Sequence, residues 1–205
     1  MIITPEELQE NGYTLLARLE HNDIIPFVRA YLKKRTRFSL VYYISNLIPL
    51  LLLVFFFWKY YFTPGFTIAN AINHFCYGLG IAIALVPLHE YIHVLAYRSQ
   101  GAKQTSYNAN LKKFYFMAIA DQFVASRKEF QIVALAPFMS ITFILILLLF
   151  FANSSWAFTI IGILLTHTAC CSGDFALLSF FDFYKDKAVV TYDDKENGVS
   201  FFFIK

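Results

Sequence analysis

Four apolar stretches, each long enough to cross a lipid bilayer, constrain this chain more than any other feature. They cover residues 38–62, 66–98, 130–151 and 156–183. A spanning helix needs about 20 mostly apolar residues, and hydrocarbon forces its backbone to satisfy its own hydrogen bonds. Only 15% of the residues are charged, against about 25% in soluble domains. The sequence therefore predicts an all-α membrane protein, a four-span domain at residues 38–183 with four transmembrane helices.

The residues before the first span, 1–37, are expected to form a cytoplasmic N-terminal helical segment. Thr4 and Glu7 have the spacing of a capping box, and Pro5 suits the first helical position. A second short helix is expected from Pro26 to Lys34. Between the capping box and this second helix, the sequence has an apolar stripe typical of a surface helix, at Leu8, Leu15, Leu16 and Leu19.

Two β-hairpins are predicted outside the spans. One is a small cytoplasmic β-hairpin between spans two and three, with strands at residues 104–108 and 113–118 that are rich in Thr, Tyr and Phe. The other is a cytoplasmic C-terminal hairpin at residues 184–205, where residues 188–192 and 199–204 flank a polar turn.

The distribution of positive charge predicts the orientation of the spans in the membrane. Four cations directly precede the first span, at Lys33, Lys34, Arg35 and Arg37. Such clusters stay on the cytoplasmic side, and four spans then leave both termini cytoplasmic in a multi-pass cell-membrane protein surrounded by lipid.

The net charge of +3 is mild and does not favour a nucleic-acid partner. Three cysteines cannot build a disulfide framework.

The second span carries a His-Glu-x-x-His pattern at His89, Glu90 and His93. On a helix, positions four apart share a face, so the two imidazoles can hold one zinc ion. The glutamate between them is placed to take a proton from a metal-bound water. Chance occurrence and a pair of helix-packing histidines are the alternatives. Three ionisable side chains within a membrane helix are costly and mark function by default, which favours the metal site.

The fourth span supplies candidates for a third zinc ligand. Asp174 is an acid inside an apolar helix and needs a partner. Its depth in its span, roughly 13 Å from the inner end, matches that of His89 and His93. His167 and Cys170 remain competing ligands, since imidazole and thiolate also bind zinc.

This arrangement resembles the site-2 proteases, which are intramembrane zinc metalloproteases with a three-helix core. Their first core helix carries His-Glu-x-x-His and their third an aspartate ligand, which correspond here to His89-Glu90-Tyr91-Ile92-His93 and Asp174. The chain is more similar still to a family of small bacterial zincin-like peptidases, in which a Gly-Asp pair stands on the later helix, here Gly173-Asp174. The Leu-Asp-Gly motif of the site-2 proteases is absent. In the site-2 proteases an asparagine precedes that motif, and Thr166 and His167 stand about where it is expected here.

The resemblance covers residues 66–183 and implies a metalloprotease-like core there. It implies an intramembrane zinc metalloprotease that hydrolyses peptide bonds of a membrane-associated protein or peptide near the cytoplasmic face. Zn2+ is expected on His89, His93 and Asp174, with Glu90 as the catalytic base and His167 as a helper. A zinc-binding membrane adaptor or regulator without proteolysis is the alternative. A transporter is disfavoured because the four spans show no internal repeat.

Overall fold

The computed structural model describes residues 4–110 and 115–205 and is mostly helical, with small β-sheets. The helices are α1 (Pro5–Glu10), α2 (Ile24–Leu32), α3 (Arg37–Tyr61), α4 (Ile68–Ala84), α5 (Val86–Ser99), α6 (Arg127–Phe151), α7 (Ser154–Cys170) and α8 (Ser172–Phe183). The strands are β1 (Thr14–Glu20), β2 (Thr105–Asn110), β3 (Tyr115–Ala120), β4 (Val124–Ser126), β5 (Val189–Asp194) and β6 (Val199–Ile204).

Two helices, α3 and α6, are each long and apolar enough to cross a membrane. Two further candidates are bent pairs. Helices α4 and α5 meet at 42°, with the break at Leu85, and α7 and α8 meet at 44°, with the break at Cys171. The described residues therefore hold two spans, or up to four if each bent pair is one span. These findings are consistent with the predicted membrane protein.

The chain divides into two compact units. The sheet unit comprises Met1–Ser39, Glu90–Ala136 and Gly173–Lys205, and the helical unit comprises Leu40–His89 and Pro137–Ser172. Helices α3, α5 and α6 each run from one unit into the other, and the boundary in α5 falls between His89 and Glu90.

An antiparallel sheet with the strand order β1-β6-β5-β4 forms the core of the sheet unit. The predicted C-terminal hairpin is present as β5 and β6, which pair from Val189–Ile204 to Asp194–Val199. Gly198 closes its turn at φ 65°, a left-handed conformation that favours glycine. Helix α8 packs on the sheet through aromatic side chains, with the Phe180 and Phe202 ring centroids 4.5 Å apart.

The N-terminal segment is not wholly helical as predicted. Its capping box is confirmed, since Thr4 and Glu7 exchange side-chain-to-backbone hydrogen bonds at the start of α1. The leucines at 15, 16 and 19, however, lie in strand β1, which pairs antiparallel with β6. A register shift between Leu15 and Ala17 interrupts the pairing. Cross-strand hydrogen bonds here override a helical spacing of apolar residues.

The hairpin between the second and third predicted spans is also present. Strands β2 and β3 pair antiparallel from Thr105–Ala120 to Asn110–Tyr115. The predicted strand 113–118 begins in residues 111–114, which lie outside the described residues. The short strand β4 follows β3 and was not predicted. It joins the edge of the main sheet by pairing with β5.

In the helical unit, α4 and α7 cross at two glycines. A Cβ atom added at Gly78 would collide with the carbonyl oxygen of Thr159, and one added at Gly162 would collide with that of Phe75. Small residues at such crossings let helix backbones approach closely. His74 joins the same contact, with its Nδ1 3.0 Å from Oγ1 of Thr159. That hydrogen bond gives His74 a packing role at the helix crossing.

Candidate metal centre

Helix α5 carries the His-Glu-x-x-His pattern in a buried setting. It begins just after the break at Leu85, and Pro87 lies in its first turn, where a missing N–H costs no helical hydrogen bond. His89, Glu90 and His93 are 8%, 9% and 6% exposed. One continuous helix holds all three, so His89 and His93 stand one turn apart on the same face.

Two contacts on opposite sides of its ring fix the orientation of His93 within the sheet unit. Its Nδ1 lies 2.9 Å from the backbone carbonyl oxygen of Val133 in α6. A carbonyl only accepts, so Nδ1 carries a hydrogen and donates it. On the other side, Nε2 lies 3.2 Å from Oδ1 of Asp174 in α8. In the neutral ring Nε2 is therefore an acceptor, and it faces a carboxylate oxygen that also only accepts. Two acceptors at this distance repel each other unless a proton or a metal ion lies between them.

The spacing of these two atoms fits a shared zinc ion. Ligand nitrogen and oxygen atoms lie about 2.0–2.2 Å from zinc in tetrahedral sites, which puts two of them roughly 3.3 Å apart. The observed separation between Nε2 of His93 and Oδ1 of Asp174 is 3.2 Å. A histidine that ligates zinc usually donates its other ring N–H to a carbonyl or carboxylate. The hydrogen bond from His93 to Val133 has this form.

Packing in the sheet unit holds Asp174 in place. Asp174 lies in the first turn of α8, whose later residues Phe180 and Phe181 are fully buried. Arg127, the first residue of α6, donates hydrogen bonds at 2.7 Å to the backbone carbonyls of Tyr184 and Lys185, just past the end of α8. The helix that carries Val133 and the helix that carries Asp174 are thereby tied together.

A second cluster lies wholly within the helical unit. His89, His167 and Cys171 each offer a ligand atom, and these atoms all lie within 4.8 Å of one another. The Sγ atom of Cys171 is 4.0 Å from Nε2 of His167, and the rings of His89 and His167 are 5.7 Å apart between centroids. The ring of Phe138 stacks on that of His167 at 6.5 Å and 15°.

The structure does not bring Cys170, one of the competing ligands, into this cluster. Cys170 is exposed, whereas its neighbour Cys171 is buried. Counting four residues back from Asp174 along an unbroken helix selects Cys170, but α7 ends at Cys170 and α8 begins at Ser172. The break at Cys171 invalidates the count, so the thiol near His167 is that of Cys171.

The structure thus places the predicted site residues in two groups. It brings His93 and Asp174 together, keeps His89 on the same face of α5 as His93, and sets His167 beside His89. Sequence reasoning missed Val133, because a backbone carbonyl leaves no signal in the sequence. It also missed Cys171, although the side chains of adjacent helical residues point roughly 100° apart around the axis, so one of two neighbouring cysteines can face inward while the other does not.

Comparison with known proteins gives a family match. A family model described as "Putative zincin peptidase" matches residues 82–189, which include α5, β2 to β4, α6, α7 and α8. No curated protein and no solved structure matches the chain. The matched residues are more than half of the 205 in the chain and contain His89, Glu90, His93 and Asp174. The chain therefore belongs to this zincin peptidase family.

Proposed function

We propose that the chain is an intramembrane zinc metalloprotease, related to the site-2 proteases, that cleaves peptide bonds of a membrane-associated protein near the cytoplasmic face. Family membership indicates a metallopeptidase. The observation that carries the finer proposal is the 3.2 Å separation of Nε2 of His93 in α5 and Oδ1 of Asp174 in α8, two helices that each belong to an apolar bent pair. A histidine and a carboxylate at this spacing, with side chains 7% and 18% exposed, suit a zinc ligand pair in a membrane setting.

The proposed ligands are His89, His93 and Asp174. Two imidazoles and one carboxylate form a donor set common in catalytic zinc sites, and three protein ligands leave one position open. When bound there, zinc supplies Lewis acidity, which polarises a carbonyl group and lowers the pKa of a water ligand toward neutrality. The donation from Nδ1 of His93 to Val133 keeps Nε2 directed at the proposed ion.

Glu90 is the proposed general base. It follows His89 directly and is 9% exposed, so its carboxylate is shielded from bulk water while remaining on the helix that presents the ligands. It accepts a proton from the attacking water and then delivers that proton to the leaving amine. A structural zinc site has no need of an acid between its two histidines, so Glu90 favours an enzyme over an adaptor.

The proposed topology has four spans, with each bent pair counted as one. The cations at Lys33, Lys34, Arg35 and Arg37 precede α3 and support a cytoplasmic start to the first span. Alternating spans then place the N-terminal segment, both hairpins and the start of α8 toward the cytoplasm. Water for the hydrolysis enters from that side.

Glu90→Gln tests the proposal directly. The full chain is reconstituted in vesicles with a single-span test peptide that carries a fluorophore and a quencher around its cytoplasmic end. We expect Glu90→Gln to keep its zinc, measured by mass spectrometry, while cleavage falls about 10²–10⁴-fold, the usual contribution of a general base. Glu196→Gln, the same change at an exposed position in the β5–β6 turn, is the matched control.

Three results bear against the proposal. Cleavage by Glu90→Gln at the wild-type rate removes Glu90 from the chemistry. Loss of zinc from Glu90→Gln assigns the residue to metal binding instead. Zinc-loaded wild-type protein that cleaves neither this peptide nor labelled casein favours the non-proteolytic zinc-binding adaptor.

A further inference from the structure

The cluster of His89, His167 and Cys171 has the composition of a metal site in its own right. All three side chains are buried, with exposures of 8%, 4% and 0%. They come from two elements of the helical unit, since His89 lies in the first turns of α5 while His167 and Cys171 lie in and just after the last turn of α7. Their ligand atoms lie within 4.8 Å of one another.

The separations of these atoms are close to those found around one ion. A thiolate lies about 2.3 Å from zinc and an imidazole nitrogen about 2.0–2.1 Å, so a tetrahedral ion separates them by roughly 3.6 Å. The Sγ atom of Cys171 and Nε2 of His167 are 4.0 Å apart, a few tenths of an ångström more than an ion requires. The stacked ring of Phe138 restrains the imidazole of His167, so little reorganisation is needed on binding.

The donor types select the metal. One thiolate and two imidazoles suit zinc and softer divalent ions, whereas magnesium and calcium prefer oxygen donors. A carboxylate and two imidazoles, the set proposed for the peptidase centre, are harder. The two sets therefore rank divalent metals differently.

We infer that His89, His167 and Cys171 form a second metal site, for Zn2+ or a softer divalent ion such as Cd2+, separate from the His93–Asp174 pair. The two sites compete for His89. A neutral imidazole has one lone pair for a metal, so His89 serves only one ion at a time. An ion in the second site deprives the proposed peptidase centre of His89, one of its three ligands. This inhibitory consequence depends on the proposed function, whereas the site itself does not.

Cobalt binding tests the second site without any activity measurement. The full chain carrying His93→Gln and Asp174→Asn lacks two of the three ligands of the proposed peptidase centre. We expect this variant, purified in detergent, to bind one Co2+ and to show the near-ultraviolet band of charge transfer from thiolate to cobalt. Adding Cys171→Ser removes the band, whereas adding Cys170→Ser leaves it unchanged, because Cys170 is exposed and lies outside the cluster.

His167→Gln in the same background provides a second measurement, in case serine at the buried position of Cys171 disturbs folding. It keeps the thiol and removes one imidazole, and we expect cobalt to bind at least about 10-fold more weakly. A charge-transfer band that survives Cys171→Ser, or that depends on Cys170, overturns the inference. So does unchanged affinity in His167→Gln. Because these variants lack the His93–Asp174 pair, a failed peptidase assay leaves the result unaffected.

Discussion

Oδ1 of Asp174 lies 3.2 Å from Nε2 of His93, while the other ring nitrogen of that histidine donates to the carbonyl of Val133. The pair joins the start of α8 to the second turn of α5. Buried ionisable groups are expensive in a membrane protein unless they are paired. The hydrogen bond on one side and the carboxylate on the other give the imidazole a fixed direction, which is the property a metal ligand needs.

Replacing Asp174 tests this pair. We expect Asp174→Asn to weaken zinc binding at least about 100-fold, since loss of partners outside the ligand shell already costs 10–100-fold. Metal content after dialysis against a weak chelator measures the effect. Asp182→Asn, the same change later in the same helix, is the matched control, because Asp182 contacts Arg37 and is not one of the proposed ligands. Equal metal content in the two variants removes Asp174 from the ligand set.

The crossing of α4 and α7 gives a test of packing. Gly78→Ala places a methyl group against the carbonyl oxygen of Thr159, so the helices must separate. Overpacking of this kind costs about 1–3 kcal/mol, and the Tm measured by circular dichroism in detergent should fall. Gly80→Ala in the same helix meets open space and should leave the Tm unchanged or higher. Similar Tm values for the two variants contradict the close approach.

Strand β1 can be tested with two leucines. Leu19 is 7% exposed and Leu15 is 47% exposed. Leu19→Ala removes a buried side chain and should cost about 2–5 kcal/mol, whereas Leu15→Ala should change stability by less than about 0.5 kcal/mol, as exposed positions do. Thermal unfolding in detergent measures both. Equal losses of stability in the two variants would contradict the strand and would be expected instead of a helix lying on the surface.

Two adjacent aspartates in β5 predict opposite effects of pH. Burial raises the pKa of Asp193 from 3.8 to about 6, against hydrogen bonds from Ser200 and the backbone N–H of Ala120 that lower it. The folded state therefore binds more protons than the unfolded state between pH 4 and 6, and stability falls as pH rises through this window. Above pH 6 the cost levels off at roughly 3 kcal/mol, at 1.36 kcal/mol for each pKa unit.

Asp193→Asn should remove that fall, because asparagine does not titrate in this range. Its side-chain oxygen can still accept the hydrogen bond that the hydroxyl of Ser200 donates to Asp193 at 2.6 Å. Asp194 has a lowered pKa: its slight burial raises the pKa, but hydrogen bonds from Asn197 outweigh it. Its stabilisation is present above the usual pKa and is lost as the pH falls. Asp194→Asn should therefore lower stability at pH 7, whereas Asp193→Asn raises it. Melting curves between pH 4 and 7 check both signs, and a shared sign contradicts the assignment.

The candidate ligands were predictable because their signals are local. Helical spacing alone places His89 and His93 on one face, and the cost of an acid in an apolar helix singles out Asp174. The contact between His93 and Asp174 agrees with that reasoning. The full three-ligand set stays a prediction.

Two features escaped prediction for physical reasons. The helix break at Cys171 shifts the inward-facing thiol by one residue, and the Ser172-Gly173 pair that follows it is a weak local signal, because isolated glycines also occur within helices. In β1, the register shift near Leu16 destroys the alternation that identifies a strand. Its apolar residues then have the spacing of a helical stripe. The segment forms a strand because it pairs with β6, which is distant in the sequence.

The pairing of β1 with β6 sets an order of events during translation. Residues 14–20 are synthesised early, yet their hydrogen-bonding partner, residues 199–204, follows helices α1 to α8 in the chain. Phe202 of β6, whose ring packs against that of Phe180, therefore reaches α8 only after that helix has been synthesised. A nascent chain arrested before β6 already carries His89, His93 and Asp174 but lacks the strand that pairs with both β1 and β5.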